Sequence, residues 1–99
     1  MISKTTNSAF IGTDLEAYLR RISVHRLVVV GVTTNNSVEA TVRMAGNLGF
    51  DTYLVQDCCF TFARRDFAGR LRTADEVQSM SLANLKDEYC TVISSTLLL

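Results

Sequence analysis

Hydrophobic residues recur along this chain at two different spacings. Three segments repeat them every three or four positions, the spacing of an amphipathic helix: about residues 14–22, 37–48 and 75–85. Between these lie short apolar runs rich in β-branched side chains, which are typical of β-strands: residues 26–32, 51–56 and 89–94. The order is α-β-α-β-α-β, and strands that alternate with helices predict one α/β domain, residues 1–99, on a parallel sheet.

The predicted helices share a pattern at their starts. Each has a threonine or asparagine three residues before a glutamate, a pair that satisfies unpaired backbone amides from both sides. The pairs are Thr13 with Glu16, Asn36 with Glu39, and Thr73 with Glu76. The pattern predicts a capping box at each of the three helix starts.

The segment at residues 28–41 carries the clearest functional pattern. A β-branched run stops at Gly31, a polar turn follows, and Ser37 falls in the first turn of the second predicted helix. Ligands of open parallel α/β sheets bind beyond the carboxyl ends of the strands, and free amides at a helix start stabilise an oxyanion. Ser37 is therefore a candidate nucleophile, and the alternative is a serine that only caps the helix. The single glycine and the lack of the required lysine exclude a phosphate-binding loop.

Composition and charge narrow the range of functions. Hydrophobic residues are 47% and charged residues 20%, which indicates a globular chain. A net charge of +0 argues against nucleic-acid binding, and the absence of an apolar stretch near about 18 residues argues against a membrane span. Three cysteines without a signal peptide predict reduced thiols in the cytoplasm. With His25 as the only histidine, no metal is expected.

Residues 31–41 (GVTTNNSVEAT) resemble the active-site segment of the isochorismatase-like (nicotinamidase-related) cysteine hydrolases. The resemblance extends to further segments and covers essentially the whole chain: residues 4–15, 43–51, 57–62 and 81–85. It implies a Rossmann-like, three-layer fold with helices on both faces of the sheet. It also implies hydrolysis of C–N bonds in small amides, or of the vinyl ether of isochorismate. No cofactor is expected for this chain.

The same resemblance assigns the site residues. Lys4 corresponds to the family lysine, and Ser37 occupies the position of the nucleophilic cysteine. The Val32–Thr33 peptide is expected to be cis, as is typical of the family. Thr33, Thr34 and Asn36 either supply oxyanion amides or only form the turn, and Asn36 is expected to cap the helix.

Three departures from the family pattern bear on activity. A serine replaces the cysteine, no aspartate precedes Lys4, and Gln78 stands where relatives often have histidine. The chain is similar to the C-terminal half of the family fold. Two functions follow. One is a hydrolase of small amides or related compounds that takes its aspartate from an upstream segment or a partner. The other is a catalytically inactive, truncated member that serves assembly or binding.

A half-fold has consequences for association. The strand at residues 26–32 is central in the complete family fold, so without its neighbours it is an open apolar edge, and such edges pair with other chains. We therefore expect a homo-oligomer, or association with the missing half, and no nucleic-acid or membrane partner.

The remaining polar and thiol side chains have simpler interpretations. Asp57 either faces the cleft or ends a turn. The cysteines at 58, 59 and 90 are predicted to be buried, and His25 to lie in a surface loop. The long connection at residues 58–72 carries four arginines that either attract an anion or are solvated.

Overall fold

The computed structural model describes residues 8–10 and 13–98. Three α-helices and three longer strands occur in the predicted order. The helices are α1 (Leu15–Arg21), α2 (Glu39–Asn47) and α3 (Ala74–Leu85), and the strands of the main sheet are β1 (Arg26–Val32), β2 (Asp51–Phe60) and β5 (Thr91–Ile93). A two-stranded hairpin, β3 (Arg64–Arg65) and β4 (Leu71–Arg72), lies between β2 and α3, and a 3₁₀ turn (Ser95–Leu98) follows β5.

The main sheet is parallel, with strand order β1-β2-β5. Arg26 pairs with Asp51 at the start of β1, and Tyr53 pairs with Thr91 across to β5. The register between β1 and β2 shifts after Val29. The predicted α/β fold with a parallel sheet is therefore confirmed, and the carboxyl ends of β1 and β2 lie side by side.

The core lies between this sheet and the helices, in two clusters. The larger joins the sheet to α2 and α3: Val38, Val42, Leu54, Cys59, Leu85 and Cys90. The smaller joins α2 to residues packed around α1: Phe10, Ala45 and Phe50. Burying each large apolar side chain contributes about 1.5–3 kcal/mol, so the helical face of the sheet provides most of the stabilisation.

β1 is not buried on both faces, although a nearly continuous apolar run is typical of such a strand. Its burial alternates, and Val28, Val30 and Val32 are 49%, 54% and 55% exposed. Leu27 and Val29, on the other face, pack into the two core clusters. Because β1 also stands at an edge of the main sheet, an apolar stripe and a strand edge are both open to solvent in the described part of the chain.

The connection at residues 58–72 is more ordered than the sequence predicts. β2 continues to Phe60 rather than ending at residue 56, and the hairpin occupies the rest. Of the predicted capping boxes, only Thr73 with Glu76 forms in full. Thr13 accepts a hydrogen bond from the Leu15 amide, while Glu16 pairs with Arg20 instead of closing the box. None of the helices in the described part of the chain is long and apolar enough to cross a bilayer.

Candidate active site

The strand–turn–helix at residues 28–41 begins with unusual backbone geometry at the end of β1. Gly31 has φ +144°, a conformation that side-chain-bearing residues rarely adopt. A Cβ at this position would stand 3.5 Å from Cγ2 of Val38. The Val32–Thr33 peptide bond is cis, the geometry that the family resemblance implies. This backbone directs the chain from the edge strand into the turn that carries Ser37.

The turn itself is wound more widely than the predicted α-helical start. Residues Thr34–Val38 form a π-helical turn that leads directly into α2. The Val38 amide donates to the Thr33 carbonyl at 3.3 Å, and the Glu39 amide donates to the Thr34 carbonyl. Both bonds span five residues instead of four. Such turns are often found at functional sites.

Ser37 lies in this turn at the carboxyl end of β1, as predicted, and its side chain is partly exposed. Its hydroxyl has no hydrogen-bond partner among the described residues. Lys4, the other predicted catalytic residue, lies outside the described residues. The serine is therefore accessible to a ligand.

The turn residues that precede Ser37 have separate roles. Thr34 is fully buried, and its Oγ1 has no hydrogen-bond partner within the described part of the chain. Asn35 is tied to the segment after β2, since its Oδ1 lies 2.5 Å from Oγ1 of Thr61. The backbone amide of Asn36 donates to the Thr33 carbonyl at 3.0 Å, so this N–H group points into the turn.

The prediction that Asn36 caps the second helix is wrong. No side-chain cap is present at the start of the π turn or of α2, and Asn36 is exposed. The physical reason is that helical winding already begins at Thr34, so the Glu39 amide that such a cap would satisfy donates instead to the backbone carbonyls of Thr34 and Asn36. The carboxylate of Glu39 also has other partners. Arg43 donates to its Oε1 at 2.8 Å, and Ser81 donates to its Oε2 at 2.6 Å.

Sequence reasoning missed the network that this carboxylate organises. Ser81 of α3 also lies 3.4 Å from the Thr34 carbonyl, so it contacts both α2 and the turn. Arg43 stacks over the ring of Tyr89 at 5.1 Å from its centroid. The four-residue spacing of Glu39 and Arg43 was the available signal, because such pairs attract along a helix. Nothing local indicated Ser81, which lies 42 residues from Glu39.

The second strand contributes an acid and two thiols near the same edge. Asp57 is exposed, and its carboxylate accepts hydrogen bonds from the amide and hydroxyl of Ser95, which hold its pKa below the usual range. Cys59 is buried, which raises the pKa of its thiol, and Cys58 is half-buried. Gln78 spans from α3 to β2 by donating to the carbonyls of Gln56 and Cys59, at 3.2 and 3.1 Å.

The other predictions have mixed outcomes. His25 is exposed just before β1, as predicted, and Cys90 is buried. Among the arginines of the hairpin segment, Arg72 is paired with Asp66 at 3.0 Å and with Glu76 at 3.4 Å. Within the described residues, no group of three or more histidine, cysteine, aspartate or glutamate side chains is placed to hold a metal ion.

Two depressions adjoin the turn. A broad, open groove of about 1090 Å³ runs between the hairpin and α3, with Asn35 and Glu39 at its end near the turn and Phe67 and Met80 along its walls. A shallow one of about 250 Å³ lies beside Asn36 and Arg43. Ser37 lines neither, so the described residues place it on a turn beside an open surface.

Comparison with known proteins gives a consistent result. The Isochorismatase domain profile matches residues 1–96. An uncharacterized isochorismatase family protein of Bacillus subtilis is 43% identical over 95 residues, which is 96% of this chain and 51% of that protein. Nicotinamidase 3 of Arabidopsis thaliana is 40% identical over 62 residues, 63% of this chain and 31% of that enzyme.

Comparison with solved structures leads to the same family. An isochorismatase-family structure from Chromobacterium violaceum superposes with a TM-score of 0.95 at 64% identity, covering 96% of this chain and 49% of that one. The chain therefore spans about half the length of the Bacillus protein and of the Chromobacterium structure.

Proposed function

The chain belongs to the isochorismatase family, and on that premise we propose that it carries the nucleophile-bearing part of a hydrolase for small amides. The observation that carries this proposal is the position of Ser37. It is partly exposed at the carboxyl end of β1, in a widened turn that follows the cis peptide. This is where an α/β enzyme places a group that attacks a bound carbonyl.

The proposed reaction uses Ser37 as the nucleophile. Its Oγ attacks the amide carbonyl carbon while its proton passes to the neutral amine of Lys4, and amides of the turn stabilise the oxyanion. The C–N bond then breaks, the amine leaves with that proton, and an acyl-serine ester remains. Water hydrolyses the ester, which releases the acid and restores the hydroxyl. An aspartate from outside these 99 residues completes the family set.

The substrate class rests on the relatives. The Arabidopsis relative is named a nicotinamidase, and the name denotes hydrolysis of a small aromatic amide. The open groove beside the turn presents Phe67 and Met80 together with charged residues. Small aromatic or aliphatic amides are therefore the first compounds to test.

A second candidate function is binding or assembly without catalysis. The observation that favours it is that no acid or base in the described part of the chain contacts the Ser37 hydroxyl. A serine without a base is a poor nucleophile, whereas the open edge of β1 suits association with another chain.

Ammonia release from a panel of primary amides, including nicotinamide, separates the two. The chain is assayed alone and with the part of the Chromobacterium relative that it does not cover. We expect turnover that Ser37→Ala abolishes and Ser37→Cys retains or increases. Ser23→Ala, an exposed serine that follows α1, is the matched control and leaves the rate unchanged. If the unaltered chain releases no more ammonia than Ser37→Ala under both conditions, catalysis by Ser37 is rejected and the binding function is favoured.

A further inference from the structure

Ser81 has two acceptors for one proton. It lies on α3, is 2% exposed, and its Oγ is 2.6 Å from Oε2 of Glu39 and 3.4 Å from the Thr34 carbonyl oxygen. The carboxylate is the closer acceptor and takes the larger share of the proton, since hydrogen bonds to charged groups are the stronger ones. The Thr34 carbonyl takes the weaker share of a three-centre hydrogen bond.

The Thr34 carbonyl is the point at which the turn departs from α-helical winding. In an α-helix it would accept from the Val38 amide, four residues on. Instead it accepts from Glu39, and the Val38 amide donates to Thr33. A side chain that inserts into the hydrogen-bond ladder is a recognised cause of local distortion in a helix. Ser81 is the side chain that the structure places there.

The winding decides where Ser37 points. In an α-helix, each successive side chain is rotated by about 100° around the helix axis. A turn that contains one extra residue therefore changes the direction in which its side chains, including that of Ser37, leave the axis. Relaxation of Thr34–Val38 to α-helical winding would therefore redirect the Ser37 hydroxyl and the amides around it.

We propose that Ser81 is a positioning residue for Ser37: from α3, oriented by Glu39, it holds the turn in its widened form. Its importance for turnover rests on the proposed function, but the position itself can be measured without turnover. Ser81 touches no substrate in this role and acts only through the Thr34 carbonyl.

A thiol at position 37 serves as the probe. Ser37→Cys is made together with Cys58→Ala, which removes the half-buried thiol, and iodoacetamide alkylation of the position-37 peptide is followed against pH by mass spectrometry. Amides at a helix start lower a thiol pKa below about 8.5. We expect Ser81→Ala to move the pKa of this thiol toward the ordinary value by about half a unit or more, whereas Ser79→Ala leaves it unchanged.

A purely structural role for Ser81 gives a different result. Thermal unfolding would then shift while the pKa of the introduced thiol stays the same, and that outcome overturns the proposal. Should Ser81→Ala fail to fold, Ser81→Cys takes its place with the same expectation, because it nearly preserves volume and offers only a weak donor. Absence of amide turnover in every variant rejects the proposed function alone, since the thiol measurement does not depend on it.

Discussion

Gly46 of α2 lies against the backbone of Tyr89, so close that a Cβ added to the glycine would stand 2.7 Å from the Tyr89 carbonyl oxygen. This approach presses α2 onto the segment between α3 and β5. It also brings the Arg43 guanidinium over the tyrosine ring. The helix that follows the Ser37 turn is thus fixed from its far end by a backbone contact.

Gly46→Ala should destabilise the fold by about 1–3 kcal/mol, because the obstacle is backbone and cannot rotate away. Alanine favours a helix by about 1 kcal/mol relative to glycine, so the loss in free energy of unfolding is a net value. Urea unfolding measures it. The control is Asn47→Ala, an exposed neighbour on the same helix, which should change stability by less than about 0.5 kcal/mol. A Gly46→Ala variant as stable as the unaltered chain would contradict the close approach.

Arg72 joins the hairpin to α3 through Asp66 and Glu76. Arg72→Ala should loosen the hairpin with little effect on global stability, since exposed ion pairs contribute at most about 1 kcal/mol. Phe67, fully exposed on the hairpin, is a chymotrypsin site. We expect several-fold faster cleavage there in Arg72→Ala than in Arg64→Ala, which removes an exposed arginine for which the structure shows no ion pair. Equal cleavage rates would show that the pairs do not order the hairpin.

Much of this fold was predictable from the sequence because its elements have local causes. The β-branched run of β1, the glycine break at Gly31 and the capping box at Thr73 are each encoded within a few residues. The continuation of β2 to Phe60 was not, because pairing with Gly31 and Val32 depends on a register shift. The half-exposure of Val28 and Val30 was also missed, since an apolar run does not show which neighbours are present.

The site was predictable in location and only partly in construction. The turn that carries Ser37 and the cis Val32–Thr33 peptide were predicted from the family resemblance. The widened turn was not, because its winding depends on Ser81, whose contact with Thr34 joins residues 47 apart. The failed cap at Asn36 has a related origin, because the widened turn begins at Thr34 and already uses the Glu39 amide, while the Glu39 carboxylate bonds across to α3.

Buried thiols make the free energy of unfolding depend on pH in the alkaline range. Burial raises the pKa of Cys90 to about 11. A thiol with a folded pKa above its unfolded value contributes stability that is complete below about pH 8.5 and is lost as the pH rises through the folded value. The free energy of unfolding should therefore decline by on the order of 2 kcal/mol between about pH 9 and 11. Cys90→Ala should flatten that decline, and Cys58→Ala, at a half-buried position, should not. Identical slopes in all three proteins would refute the assignment.

The exposed edge of β1 predicts self-association. Val28, Val30 and Val32 form an apolar stripe beside an unpaired strand edge, and such edges recruit other strands. We expect the 99-residue chain to run larger than a monomer in light-scattering chromatography. Val30→Lys should shift it toward the monomer, because a charge on the stripe must be desolvated in the interface, while the core face of β1 stays intact.

Thr91→Lys is the matched control for this charge. Thr91 is exposed on β5, at the opposite edge of the same sheet, so the variant adds an identical charge away from the stripe. Association that weakens equally in both variants would point to net charge rather than the β1 edge. Association that weakens only in Thr91→Lys would place the contact on β5. A sharp monomer peak for the unaltered chain, with cooperative unfolding, would show that β1 is stable as a free edge and that its valines are tolerated in water.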